Sequence, residues 1–133
     1  MSECFADSFF FFALLDEGDE AHDKAVASVR ELSRDLLTTP WVLAEVGDGL
    51  AAPGRRGRFV ELLEFIRASE QFHVVAADQQ DFDEGVALYS QRPDKSWTLT
   101  DCISFVVMRE RGIRDALTGD RHFEQAGFTA LLK

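Results

Sequence analysis

Five short strand-like stretches alternate with longer segments whose apolar residues recur at helical spacing, and this alternation is the tightest constraint the 133-residue chain places on its fold. The strand-like stretches run Ser2 to Ala6, Leu36 to Thr38, Phe72 to Ala76, Ala116 to Thr118 and Phe128 to Leu131. Between the first two, Asp7-Ser8 leads into a helix, and Ala25, Val29 and Leu32 share one face of a second helix within Asp19 to Asp35. Thr39 is a good N-cap and Pro40 is pre-set for a first helical turn, so a helix carrying Trp41, Val42, Val46 and Leu50 starts there and stops at Pro53-Gly54. Phe59, Leu62, Leu63 and Ile66 mark an amphipathic helix with Arg58, Glu61 and Arg67 solvated, and Phe82, Val86 and Tyr89 recur at the same spacing. After the loop Arg92-Pro93-Asp94-Lys95, Thr98 opens a helix through Ile103, Phe105, Val106, Val107 and Met108 that closes near Gly112; apolar residues on all its sides predict deep burial. A turn or short helix joins the last two strands. Strands separated by helices predict an α/β domain of three layers, α/β/α, with a short, mainly parallel central sheet. Hydrophobic residues, 46% of the chain, are spread along its length, so residues 1–133 are expected to form one domain.

In such sheets ligands gather outside the carboxyl ends of the strands. Asp7 follows the first strand and Asp120 follows Ala116 to Thr118; Asp101 falls in the first turn of the apolar helix, and Glu45 falls early in the helix opened by Thr39-Pro40. All four can face one crevice. Asp7 lies between Phe5 and Phe9, Asp101 lies against Ile103 and Phe105, and no Lys or Arg directly flanks Asp7, Glu45 or Asp101. Ionised carboxylates in apolar surroundings require a partner. A hard divalent cation with oxygen ligands, Mg²⁺ or Mn²⁺, supplies one. Each acid also has an ordinary explanation. Thr98-Leu99-Thr100-Asp101 satisfies a capping-box pattern, Glu45 can be a solvated helix residue, and Asp7 and Asp120 can be turn or cap residues. Four separate cap roles would not require a common edge.

Charge argues against a nucleic-acid surface spread over the whole molecule. Fourteen basic residues against 24 acidic ones leave a net charge of −10, so any nucleic-acid contact must be local. Arg55, Arg56 and Arg58 form the densest basic cluster; Arg92 with Lys95, and Arg121 beside Asp120, are the other candidates for RNA backbone contacts. The alternative for the arginine cluster is a solvated helix start. Phe9 to Phe12 reads as packing or a dimer face, and His122, His22 and His73 as structural or solvated. The acidic stretch Asp16, Glu17, Asp19, Glu20 reads as capping the next helix, and Asp48 as surface-exposed. Cys4 and Cys102 form no metal or disulfide pattern and are expected to be reduced thiols. The longest apolar run, Phe9 to Leu15, is too short to span a bilayer, and the first residues carry no basic patch, so a cytoplasmic protein with no membrane association is expected.

Asp7-Ser8 after a strand, Glu45 after a Thr-Pro helix start, Leu99-Thr100-Asp101-Cys102, and Leu117-Thr118-Gly119-Asp120-Arg121-His122-Phe123 together resemble the PIN-domain family, and within it the VapC-like toxin ribonucleases of toxin–antitoxin pairs. The last two runs are the specific ones, and the similarity spans nearly the whole chain. The resemblance implies a PIN-like fold in which Asp7, Glu45, Asp101 and Asp120 coordinate one or two metal ions, supported by the hydroxyls of Ser8, Thr100 and Thr118. Ser8 stands where the family often has Thr, which keeps the hydroxyl. It further implies hydrolysis of RNA phosphodiester bonds, inhibition by a cognate antitoxin protein, and a homodimer. A non-toxin RNA-processing nuclease and a catalytically silent binding module are the alternatives within this fold. A signalling receiver would want an acidic pair after the first strand and a Lys after the last; a haloacid-dehalogenase-type phosphatase would want Asp-x-Asp where Asp7-Ser8-Phe9 stands.

Overall fold

The computed structural model describes residues 3–133. Strand β1 (Cys4–Ala6) is followed by helices α1 (Ser8–Leu15) and α2 (His22–Glu31), strand β2 (Leu36–Thr38), helices α3 (Pro40–Gly49) and α4 (Arg56–Ala68), and strand β3 (Phe72–Val74). Helices α5 (Gln79–Gln91) and α6 (Leu99–Glu110), strand β4 (Asp115–Leu117), helix α7 (Arg121–Gln125) and strand β5 (Thr129–Ala130) complete it. Ser2, expected to open the first strand, lies outside the described residues.

All five strands are parallel, in the order β3-β2-β1-β4-β5. The chain steps from β1 outward to β2 and β3, then returns to the other side of β1 for β4 and β5. Right-handed crossovers place the helices of these two excursions on opposite faces of the sheet. The order reverses between β1 and β4, so the crevice at their carboxyl ends is where such a sheet binds ligands. Strand β1 is wholly apolar and wholly buried because it is covered on both faces; Cys4 pairs with Leu36 on one side and Asp115 on the other, and Ala6 pairs with Leu117.

Local signals account for most helix starts. The Thr39 hydroxyl accepts the Val42 N–H at 3.2 Å, with Pro40 in the first turn of α3. A full capping box opens α6: Thr98 Oγ1 accepts the Asp101 N–H at 3.0 Å and Asp101 Oδ2 accepts the Thr98 N–H at 3.1 Å. Helix α6 is the buried helix its composition predicts, with Asp101 to Phe105, Val107 and Met108 all in the interior. Its end lies at Gly112, whose φ of +66° favours glycine.

Three expectations shift. The edge strands are shorter than their apolar runs, although the Val75 N–H still donates to the Thr38 carbonyl at 2.9 Å just past β3. Asp16 and Asp19 accept the N–H groups of Gly18 and Ala21 in turns ahead of α2; the N-cap itself is Ala21, so the acidic stretch closes turns and does not cap the helix. On α5 Phe82 packs against the core as its spacing predicts, but Val86 and Tyr89 are exposed, and the most deeply buried residues of the helix are Asp81 and Gly85. The cause is the close approach of α5 to α6: a Cβ at Gly85 would stand 3.1 Å from the Ile103 Cα.

Phe5, Phe10, Phe11, Phe105 and Phe123 are fully buried, and Phe105 meets Phe123 edge-to-face at 5.0 Å. Cys4 and Cys102 are buried free thiols, both pushed up in pKa chiefly by burial. Among the described residues no helix is long and apolar enough to cross a membrane.

Candidate active site

Each of the four acids arrives by a separate element. Asp7 is the N-cap of α1, immediately past β1, and Asp120 is the N-cap of α7, past β4; these are the strands on either side of the switch point. Asp101 belongs to the first turn of α6, fixed by the capping box, and Glu45 lies midway along α3. All four, with Ser8, Phe9, Phe12, Thr98 and His122, line one pocket of about 330 Å³.

Asp7 makes no side-chain cap to its own helix. It is 4% exposed, and the Thr118 hydroxyl donates to its Oδ2 at 3.0 Å. Burial, followed by the Asp101 charge, raises its pKa to about 7; Thr118 and the Ser8 N–H oppose that rise, and Glu45 adds to it. Thr118 Oγ1 also accepts the Asp120 N–H at 3.1 Å, so one buried hydroxyl sets the position of two acids. Asp120 Oδ1 accepts the His122 N–H at 2.9 Å, closing the first turn of α7.

His122 is part of this arrangement. Its Nδ1–H donates to Asp101 Oδ2 at 3.0 Å and stands 3.5 Å from Asp120 Oδ1. Asp101, 8% exposed, has a raised pKa, with burial the main cause, offset by the Thr98 N–H and His122. Ligand atoms of Asp101, Asp120 and His122 all lie within 4.8 Å of one another. Among the described residues no Lys or Arg forms an ion pair with Asp7, Glu45, Asp101 or Asp120. Carboxylates that share one pocket with no Lys or Arg paired to them, and that offer mostly oxygen donors beside the His122 ring, fit a divalent cation.

Of the three expected supporting hydroxyls, Ser8 lines the pocket and Thr118 bonds Asp7; Thr100 is half-buried and off the pocket wall, and the hydroxyl that engages Asp101 belongs to Thr98. Arg55 and Arg58 line an adjoining pocket that shares Phe12 with the acidic one, Arg56 is exposed in the first turn of α4, and Arg121 is exposed beside Asp120. Asp48 is exposed. His122 was not predicted as a site residue. The available signal was its place two residues after the N-cap Asp120, whose side chain accepts the His122 N–H in the first turn of α7.

A second acidic group, Asp81, Glu84 and Glu110, joins the start of α5 to the end of α6. It is separate from the pocket at the switch point.

No curated protein matches this sequence. Among solved structures, the chain resembles VapC20 of Mycobacterium tuberculosis, a toxin that cleaves the sarcin–ricin loop, with a TM-score of 0.84, 26% identity and 96% of each chain covered. It shares the fold of FitAcB from Neisseria gonorrhoeae, with a TM-score of 0.69, 16% identity, and 96% of this chain and 95% of that one covered. The PIN domain family model matches residues 4–129, an interval that holds all four acids as well as Thr118 and His122, and the chain belongs to that family.

Proposed function

We propose that this chain is a metal-dependent endoribonuclease that hydrolyses RNA phosphodiester bonds with Mg²⁺ or Mn²⁺, and that it is the toxin of a toxin–antitoxin pair. The observation that carries this reading is the convergence of Asp7, Glu45, Asp101 and Asp120 on one pocket at the β1–β4 switch point, with no Lys or Arg among the described residues paired to any of them. Family membership and the likeness to a toxin that cuts the sarcin–ricin loop support it.

When bound, the cation supplies a water of lowered pKa and positive charge opposite the phosphate oxygens. The chain's own residues do the rest. Asp7, Glu45, Asp101 and Asp120 would hold the cation. Thr118 fixes the spacing of Asp7 and Asp120, and the Thr98 capping box fixes Asp101. Asp7, Glu45, Asp101 and Asp120 without a cation would repel RNA, so cation binding and substrate binding are coupled through charge. No side chain need act as nucleophile. The toxin reading carries with it a cognate antitoxin and a homodimer.

The test is expression of the chain in a bacterial host, with and without Asp7→Ala. Growth arrest with cut cellular RNA, relieved by Asp7→Ala, is the expected result. Normal growth with RNA cleavage in vitro would leave a processing nuclease; normal growth and no cleavage would leave a binding module.

A further inference from the structure

The acidic pocket adjoins a cavity of about 870 Å³, within the roughly 300–1,000 Å³ range of ligand clefts, and Thr98 belongs to the walls of both. The loop from Arg92 to Thr98 forms much of this cavity, with Tyr89 at the end of α5 opposite it. The same loop ends in the capping box that orients Asp101.

This wall is rigid where it needs to be. Trp97 is buried, meets Phe105 edge-to-face at 5.1 Å and donates from Nε1 to Gln125 Oε1 at 3.0 Å. The Arg92 guanidinium lies over the Trp97 ring at 5.2 Å and makes two hydrogen bonds to Asp94, at 3.0 and 2.9 Å. Its plane is therefore held in one orientation. Lys95 forms no salt bridge among the described residues, and Tyr89 is 54% exposed. In a chain of net charge −10, two cations, one acid and an exposed ring meet next to the acidic pocket. Phosphates recognise the first of these features and bases the last.

We propose that this cavity seats unpaired RNA nucleotides next to the scissile phosphate, with Tyr89 as the stacking platform for a base and Lys95 and Arg92 as contacts to the backbone. The inference rests on the ribonuclease reading of the neighbouring pocket. Unpaired RNA is required because a ring face is open to a base only when that base has left its own stack. A duplex offers phosphates to Lys95 but nothing to Tyr89.

Both Tyr89 and Lys95 can be changed without altering the acidic pocket, since neither lines it. Cleavage kinetics on an unpaired oligoribonucleotide should show KM raised about tenfold by Tyr89→Ala with kcat unchanged. Lys95→Ala should raise KM and reduce the salt dependence of binding by about one phosphate contact. Fluorescence anisotropy with the same oligoribonucleotide, on chains carrying Asp7→Asn so that it stays intact, should show the same losses. With the oligoribonucleotide annealed to its complement, Tyr89→Ala should have no effect. If the wild-type chain cuts no RNA, the nuclease reading fails by itself, and the anisotropy series still decides whether the cavity binds RNA. Equal affinity and equal KM across the variants would overturn the proposal. So would variants that lose binding of an acidic peptide while RNA affinity is unchanged, since the occupant would then be protein.

Discussion

The Thr118 hydroxyl donates to Oδ2 of Asp7 across 3.0 Å, bridging the carboxyl ends of adjacent strands β1 and β4 whose residues are 111 positions apart. Thr118 also accepts the Asp120 N–H, so its hydroxyl is donor to one candidate ligand and acceptor for the backbone of another. Thr118→Val keeps the shape and removes both bonds. It should destabilise the chain by about 1–3 kcal/mol, seen as a lower urea midpoint, because two buried polar groups lose their partner. Cleavage should fall with it, since Asp7 and Asp120 lose their common anchor. A denaturation midpoint equal to wild type would show that the bridge has no structural role.

Asp7 gives the cation-free protein a pH dependence of definite sign. An ordinary aspartate titrates near roughly 4, whereas burial and the neighbouring Asp101 raise Asp7 to about 7. The folded state then holds the proton more tightly than the unfolded state. Stability from this group is full below the unfolded pKa and falls as pH rises through the window from about 4 to 7. In excess chelator, thermal melts should show Asp7→Asn gaining on wild type between pH 5 and pH 8. Divalent cation should reverse the order, and calorimetry in buffers of different ionisation enthalpy should detect proton release on its uptake below pH 7. A difference between wild type and Asp7→Asn that is constant with pH would contradict this.

The parts of this site that were legible in the sequence are those set by short-range rules. Thr39-Pro40 and Thr98 are local capping signals, and both helices begin where those signals stand. The two explanations of Asp101, cap and site residue, are both realised, because its backbone-facing oxygen completes the capping box while the residue lines the pocket. Long-range contacts were hidden. Nothing near Tyr89 in sequence reveals that α5 turns Gly85 toward Ile103 and leaves Val86 and Tyr89 in solvent. His122 became a site residue only through the pairing of β4 with β1, which brings the start of α7 over the end of β1 and beside α6. Thr100 and Thr98 are two residues apart, and only the N-terminal geometry of α6 decides which hydroxyl meets Asp101.

The α5–α6 seam gives a stability test independent of the acids. A methyl at Gly85 would stand 3.1 Å from Ile103 Cα and 3.2 Å from its N, both backbone atoms that cannot move aside alone. Gly85→Ala should therefore lower stability by about 1–3 kcal/mol despite the higher helix propensity of alanine. A higher thermal midpoint would mean that the helices part without penalty.

At the other end of the same seam, Glu110 is raised to about 7 by burial first and then by Glu84 and Asp81. Glu110→Gln should stabilise the chain above pH 7 by on the order of 0.5 kcal/mol, the scale of screened like-charge contacts at the surface. The gain should be smaller near pH 5 and vanish only below the ordinary value of 4.5, where the unfolded state is protonated as well. Equal gains at both pH values would exclude charge repulsion as the cause.

The most direct measurement is cleavage of an unpaired RNA by the purified chain with Mg²⁺ or Mn²⁺, with excess chelator, and with Asp7→Asn or Asp101→Asn. Cutting that requires the cation, stops in chelator and is lost in both variants is the result this arrangement of acids predicts. Full cleavage in chelator, or full activity of either variant, would contradict it.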